Sequence, residues 1–142
     1  MKETGYLLDT NVISELMKAG KASPAVMAWH NHHRDCRLYL SVISLGEIRR
    51  GVEAKRLVDP GRANRLEFWL QQITVQFATR ILDFGAQEAD IWGRIAPTER
   101  LPEADTMLAA TAIEHQLTMV TRNFKDFAMS GALLVNPWEF QP

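Results

Sequence analysis

Two hydrophobic periods alternate along this chain. Tyr6-Leu7-Leu8 is an unbroken apolar run, and helix-spaced apolar positions follow at once from Asn11 to about Lys18. An apolar strand feeding directly into a helix predicts a parallel sheet buried on both faces. Gly20 and Pro24 interrupt the pattern, and a second helix is expected from about Ser23 to His33. Arg37 to Val42 (RLYLSV) reads as a strand, and Ser44 then opens a helix to about Leu57. Past the turn Asp59-Pro60-Gly61, Leu66, Trp69, Leu70, Ile73 and Phe77 share one face of a helix over Arg62 to Phe77.

Arg80 to Asp83 is a short strand candidate, and Ala86 to about Ile95 is helical. Pro97 and Pro102 bracket a loop, Glu103 to Gln116 forms another helix, and Leu117 to Thr121 a strand. One helical turn at Phe124 to Phe127 and a strand at Ala132 to Val135 complete the pattern. Strands alternating with helices over short connections predict a three-layer α/β/α fold with a central, mainly parallel sheet. With no repeat and no linker, residues 1–142 are expected to form a single domain.

Composition narrows the function. The 16 basic and 17 acidic side chains nearly cancel, so a polyanion would have to be met by a local patch. Cys36 is the only cysteine, which rules out an intrachain disulfide and points to a reducing, cytoplasmic setting. The start of the chain is too briefly apolar for a signal peptide, and no stretch is apolar enough for a membrane span.

The candidate chemistry lies in carboxylates at strand ends and helix starts. Asp9 follows an apolar strand, where ligands gather in open parallel sheets, although an aspartate there also N-caps the next helix. Glu47 stands three residues after Ser44, the spacing of a capping box, which would explain it without chemistry. Asp105 shares a helical face with Leu108, Ala109 and Ala112, where a carboxylate is costly unless a metal or a donor meets it. Asn123 closes a later strand, with Asp126 three residues on. An all-oxygen set suits Mg²⁺ or Mn²⁺ rather than zinc.

Leu7-Leu8-Asp9-Thr10-Asn11-Val12-Ile13-Ser14-Glu15 and Ser44-Leu45-Gly46-Glu47-Ile48-Arg49-Arg50-Gly51 resemble the first two signatures of PIN-domain proteins. Asp105-Thr106-Met107-Leu108-Ala109-Ala110-Thr111-Ala112 and Val120-Thr121-Arg122-Asn123-Phe124-Lys125-Asp126-Phe127 resemble the third and fourth. The likeness is strongest to the VapC and FitB-type toxins of bacterial toxin–antitoxin pairs. It implies a Mg²⁺-dependent endoribonuclease leaving a 5′-phosphate and a 3′-hydroxyl. Asp9, Glu47 and Asp105 would then hold the metal, a small DNA-binding antitoxin would be the partner, and the toxin would be a homodimer. Many members carry aspartate where this chain has Asn123, so Asn123 or Asp126 would complete the site, which holds one metal or two. The alternative is a silent PIN domain that acts only as a binding partner in operon autoregulation.

An acidic hole must still attract RNA. Between Arg49 and Arg65 there are six basic side chains (Arg49, Arg50, Lys55, Arg56, Arg62, Arg65) against two acidic ones. Arg49, Arg50 and Arg122 are therefore the candidate substrate contacts. His30, His32, His33 and Cys36 could suggest zinc, but their spacing fits a polar helix end better. Asp9-Thr10-Asn11 lacks the second aspartate of a haloacid-dehalogenase-type phosphatase loop.

Overall fold

The two apolar faces expected of the first strand are separated in the structure. Leu8 packs with Val12, Ile13, Leu38, Leu40 and Val120 on one side of the sheet, and Leu7 with Leu108, Ala109, Ala112 and Met119 on the other. Adjacent strand residues point to opposite faces, so two neighbouring leucines anchor two cores. Leu7 and Leu8 are almost wholly buried. Truncating Leu7 to alanine should cost about 2–5 kcal/mol.

This computed structural model describes residues 5–18, 20–95, 102–123, 127 and 130–142. Five strands, β1 (Gly5–Leu8), β2 (Arg37–Ser41), β3 (Ile81–Leu82), β4 (Thr118–Val120) and β5 (Leu133–Val135), form one parallel sheet in the order β3-β2-β1-β4-β5. The helices are α1 (Thr10–Leu16), α2 (Pro24–His32), α3 (Val42–Arg56), α4 (Pro60–Gln76), α5 (Ala86–Arg94) and α6 (Glu103–Glu114). The Leu8 core draws on α1 to α4, and the Leu7 core on α6, so the sheet lies between helical layers. Gly5 allows a close approach between β1 and its neighbours, since a Cβ there would stand 2.6 Å from Leu117 Cδ2.

Three expectations change. Helix α3 begins at Val42, two residues before Ser44, because Ser41 Oγ accepts the Ile43 N–H at 3.0 Å. Ser44 is consequently buried inside the helix rather than capping it, and the Ser44–Glu47 capping box does not form. A short 3₁₀ turn, Pro137–Glu139, follows β5, capped by Asn136, and sequence periodicity did not announce it. The loop between Pro97 and Pro102 and most of the helical turn at Phe124 to Phe127, Asp126 included, lie outside the described residues. None of the described helices is long and apolar enough to cross a membrane.

Candidate active site

Neighbouring strands β1 and β4 mark the point where strand order reverses, and the crevice beyond their carboxyl ends is where such folds bind ligands. Asp9 stands directly after β1 and Thr121 directly after β4. The Asp9 N–H donates to Val120 O at 2.9 Å, which extends the strand pairing into the site.

Asp9 is 2% exposed. Its Oδ1 accepts the Thr10 N–H at 2.7 Å, so the capping role expected of an aspartate here is real. Its Oδ2 accepts the Thr121 hydroxyl, also at 2.7 Å. Burial pushes the Asp9 carboxyl above its ordinary pKa, and the charge of Glu47 adds to that. The bonds from Thr121, the Thr10 amide and Asn11 pull the other way without cancelling the rise.

Because Ser44 caps nothing, Glu47 does not reach back along α3. It is exposed, and its Oε1 lies 2.5 Å from Thr10 Oγ1. The same Thr10 oxygen is 2.9 Å from Ser44 Oγ. Thr10 therefore links the two acids, its amide on Asp9 and its hydroxyl on Glu47.

Asp105 is half-buried in the first turn of α6, and Leu108, Ala109 and Ala112 on the same face are fully buried. Helix α6 leads back into β4 and so runs opposite to it, which sets the start of α6 at the edge of the sheet where Asp9 lies. Among the described residues, no three His, Cys, Asp or Glu side chains stand close enough to share one ion. The pair Asp9 and Glu47 is brought together, while Asp105 shares the sheet edge without closing a three-carboxylate cluster. Asn123 is half-buried, and its backbone N–H donates to Thr121 Oγ1 at 3.0 Å.

The pair nevertheless fits a divalent cation. Its donors are all oxygens, one acid is deeply buried beside another, and no lysine or arginine among the described residues forms an ion pair with either. A hard ion such as Mg²⁺ needs only one or two carboxylates with water filling the rest.

The basic candidates divide. Arg49 grips Glu67 of α4 with two bonds of 2.6 Å and also reaches Glu53 at 3.0 Å. Arg56 joins Glu53 and Glu67 as well, so both arginines tie α3 to α4 instead of facing RNA freely. Arg50 is exposed and in no ion pair among the described residues. Arg122 is held beside the site, its guanidinium 5.0 Å from the Trp138 ring centre and its backbone N–H donating to Asn11 Oδ1 at 3.4 Å. His33 stacks on Trp29 and bonds its carbonyl at 2.7 Å, so the histidine-rich helix end is aromatic packing.

Thr10, Ser44 and Thr121 are the site residues that sequence reasoning missed. A cleft of about 1230 Å³ opens beside Thr10, between α1, α3 and α4.

The PIN domain family matches residues 6–128. Over 138 residues the chain is 38% identical to toxin FitB of Neisseria gonorrhoeae, covering 93% of this chain and 97% of that protein. It is 35% identical over 143 residues to VapC ribonuclease Y4jK of Sinorhizobium fredii, covering 94% and 97% respectively. The crystal structure of FitAcB from Neisseria gonorrhoeae superposes with a TM-score of 0.83 at 36% identity, over 95% of this chain and 99% of that one. With the strand order, the placement of Asp9 and Glu47 and this match in hand, the chain belongs to the PIN domain family.

Proposed function

We propose that this chain is a divalent-metal-dependent endoribonuclease and the toxin of a toxin–antitoxin pair. One observation carries the reading: Asp9 is buried beside Glu47 at the strand-order switch, and no lysine or arginine among the described residues forms an ion pair with either. The relatives named as VapC ribonuclease and FitB toxin support it.

Asp9 and Glu47 would hold Mg²⁺ or Mn²⁺, with Asp105 the third carboxylate by its place in the family signature. When bound, the ion relieves negative charge at the scissile phosphate and makes water acidic enough to attack near neutral pH. The chain's own part is positional. Thr121 and the Thr10 amide fix both Asp9 oxygens, the Thr10 hydroxyl fixes Glu47, and the Asn123 amide carries oxygen without charge.

A small DNA-binding antitoxin is the expected partner, since FitB is solved as FitAB bound to DNA. A homodimer is the expected oligomer. Leu66, Trp69, Trp138 and Phe140 pack half-buried against the core, and the dimer rests on family membership. Light scattering of the purified chain at micromolar concentration should give twice the 16.1 kDa chain mass.

The reading is tested by incubating purified chain with RNA in Mg²⁺, in EDTA, and in EDTA followed by excess Mn²⁺. Cleavage should vanish with EDTA and return with Mn²⁺. Cleavage that survives metal removal would overturn the mechanism, and no cleavage under any condition would favour a silent binding domain.

A further inference from the structure

Helix α6 starts without the contact that commonly anchors a helix, a side-chain oxygen accepting an N–H of the first turn. Pro102 stands at the cap position, and no side-chain cap forms. The first turn is secured from a neighbouring helix instead. The Trp92 indole Nε1–H of α5 donates to Thr106 Oγ1 at 2.9 Å, and the same hydroxyl donates to Glu103 O at 2.9 Å. A hydroxyl has one proton to give and lone pairs to accept with, so Thr106 is used in both directions. The two bonds run from α5 into the carbonyl that begins α6, and Asp105 lies in the turn between Glu103 and Thr106.

The other end of the same helix pair carries a different tie. Glu88 Oε1 accepts the Gly85 N–H at 2.9 Å, and Glu88 Oε2 lies 3.5 Å from Nε2 of His115, which caps the end of α6. Helices α5 and α6 are therefore antiparallel and linked near both ends. Packing alone asks only for apolar bulk at position 92. The half-buried indole adds a directed donor, and that donor is spent on the residue next to Asp105. Asp105 shares the sheet edge with Asp9 and Glu47 without closing a three-carboxylate cluster, so its distance from them depends on where α6 begins.

We propose that Trp92 is a positioning residue for the metal site. Through Thr106 it fixes the first turn of α6, and with it the place of Asp105 relative to Asp9 and Glu47. The proposal rests on the reading of Asp105 as the third carboxylate. Mg²⁺ takes its oxygens at about 2.0–2.1 Å in a near-octahedral array, so a ligand helix loose by about 1 Å would lose the ion.

The test is metal binding measured apart from cleavage. Isothermal titration calorimetry would follow Mn²⁺ binding to the intact chain without RNA, beside a thermal melt in EDTA. Trp92→Phe keeps an aromatic ring and drops the N–H, and Thr106→Val keeps the shape and drops the hydroxyl. Each should weaken Mn²⁺ binding about tenfold. The double variant should bind no more weakly than either single one, because both cut the same link. Thr106→Ser should bind as wild type does. In an Asp105→Asn background, Trp92→Phe should change the affinity no further. His115→Ala loosens the opposite end of the pair and should leave Mn²⁺ affinity at the wild-type value, whatever it does to the melt.

Trp92→Phe and Thr106→Val that melt lower yet bind Mn²⁺ at full affinity overturn the proposal and leave the contact as helix packing. A loss that persists in Asp105→Asn, or appears equally in His115→Ala, overturns it too, since the effect would not pass through Asp105. Should Trp92→Phe fail to fold, Thr106→Val and Thr106→Ser decide. If Asp105→Asn binds Mn²⁺ as tightly as wild type, the positioning role falls, while EDTA-sensitive RNA cleavage keeps the ribonuclease reading on Asp9 and Glu47. A wild type that binds no Mn²⁺ overturns both. If affinity follows the variants and no RNA is cleaved, the positioning role stands and the ribonuclease reading falls.

Discussion

The Thr121 hydroxyl donates to Asp9 Oδ2 at 2.7 Å, a buried contact between residues 112 positions apart. It joins the ends of β1 and β4 and holds the most deeply buried carboxylate among the described residues. The same Thr121 oxygen accepts the Asn123 backbone N–H, so one hydroxyl links the strand end, the metal candidate and the fourth signature position.

Thr121→Val keeps the shape and deletes the donor. A hydrogen bond to a charged group contributes about 1.5–3 kcal/mol, so a thermal melt at neutral pH should show a loss of that order. Thr121→Ser should recover most of it. Equal melting of wild type and Thr121→Val would mean the contact does not hold Asp9.

What could be read from the sequence differs between fold and site. Leu7-Leu8 announced a sheet covered on both faces, because two successive apolar residues on a strand need two cores. The start of α3 could not be read that way. Val42 and Ile43 are β-branched and extend the look of the strand, while Ser41 and Ser44 are equal as caps until tertiary contacts decide. Asp9 and Glu47 stood out because carboxylates are conspicuous at strand ends and helix starts. Thr10 and Thr121 did not, since their partners lie 37 and 112 residues away. Counting charge also misplaced Arg49, whose partner Glu67 is 18 residues on, on the adjacent helix.

The Arg49–Glu67–Arg56 network should give stability that acid removes. The two arginines hold the Glu67 carboxyl down at about 2, below its ordinary 4.5. With the folded pKa lowered, the contribution is complete above the unfolded value and is lost as pH falls from about 4.5 towards 2. Glu67→Gln should therefore melt lower than wild type at pH 7, with the gap closing as pH falls towards 2. High salt should narrow it as well, since these groups are partly exposed to solvent. A gap that stays constant with pH would assign the effect to packing.

Asp9 predicts the opposite slope. Its folded pKa is raised, so in EDTA the folded state keeps a proton that the unfolded chain has lost. That contribution is present below the ordinary carboxylate pKa and fades as pH rises through the raised one. Compared with Asp9→Asn, the wild type should lose melting temperature over that window in EDTA. Mn²⁺ at 100 times its dissociation constant should return about 2.7 kcal/mol to the wild type and little to the variant. Identical pH profiles in EDTA would show that Asp9 is not strained by its burial.

Asp105 separates a metal-site role from a structural one. It starts α6 above the buried Leu108, Ala109 and Ala112, a place where a carboxylate can serve either the helix end or an ion. Asp105→Asn keeps size and hydrogen-bonding capacity and removes one charge. If the ion depends on that charge, cleavage should fall by orders of magnitude, because water activation and charge relief at the phosphate are lost together. Stability in EDTA should then hold or rise, since one of several repelling acids has gone. If Asp105 instead secures the start of α6, the fold weakens and activity per folded molecule survives. A melt in EDTA beside a cleavage assay on the same preparation reads both quantities. Asp105→Asn that melts several degrees lower yet cleaves RNA at the wild-type rate would remove Asp105 from the site and leave Asp9 and Glu47 to hold the metal alone.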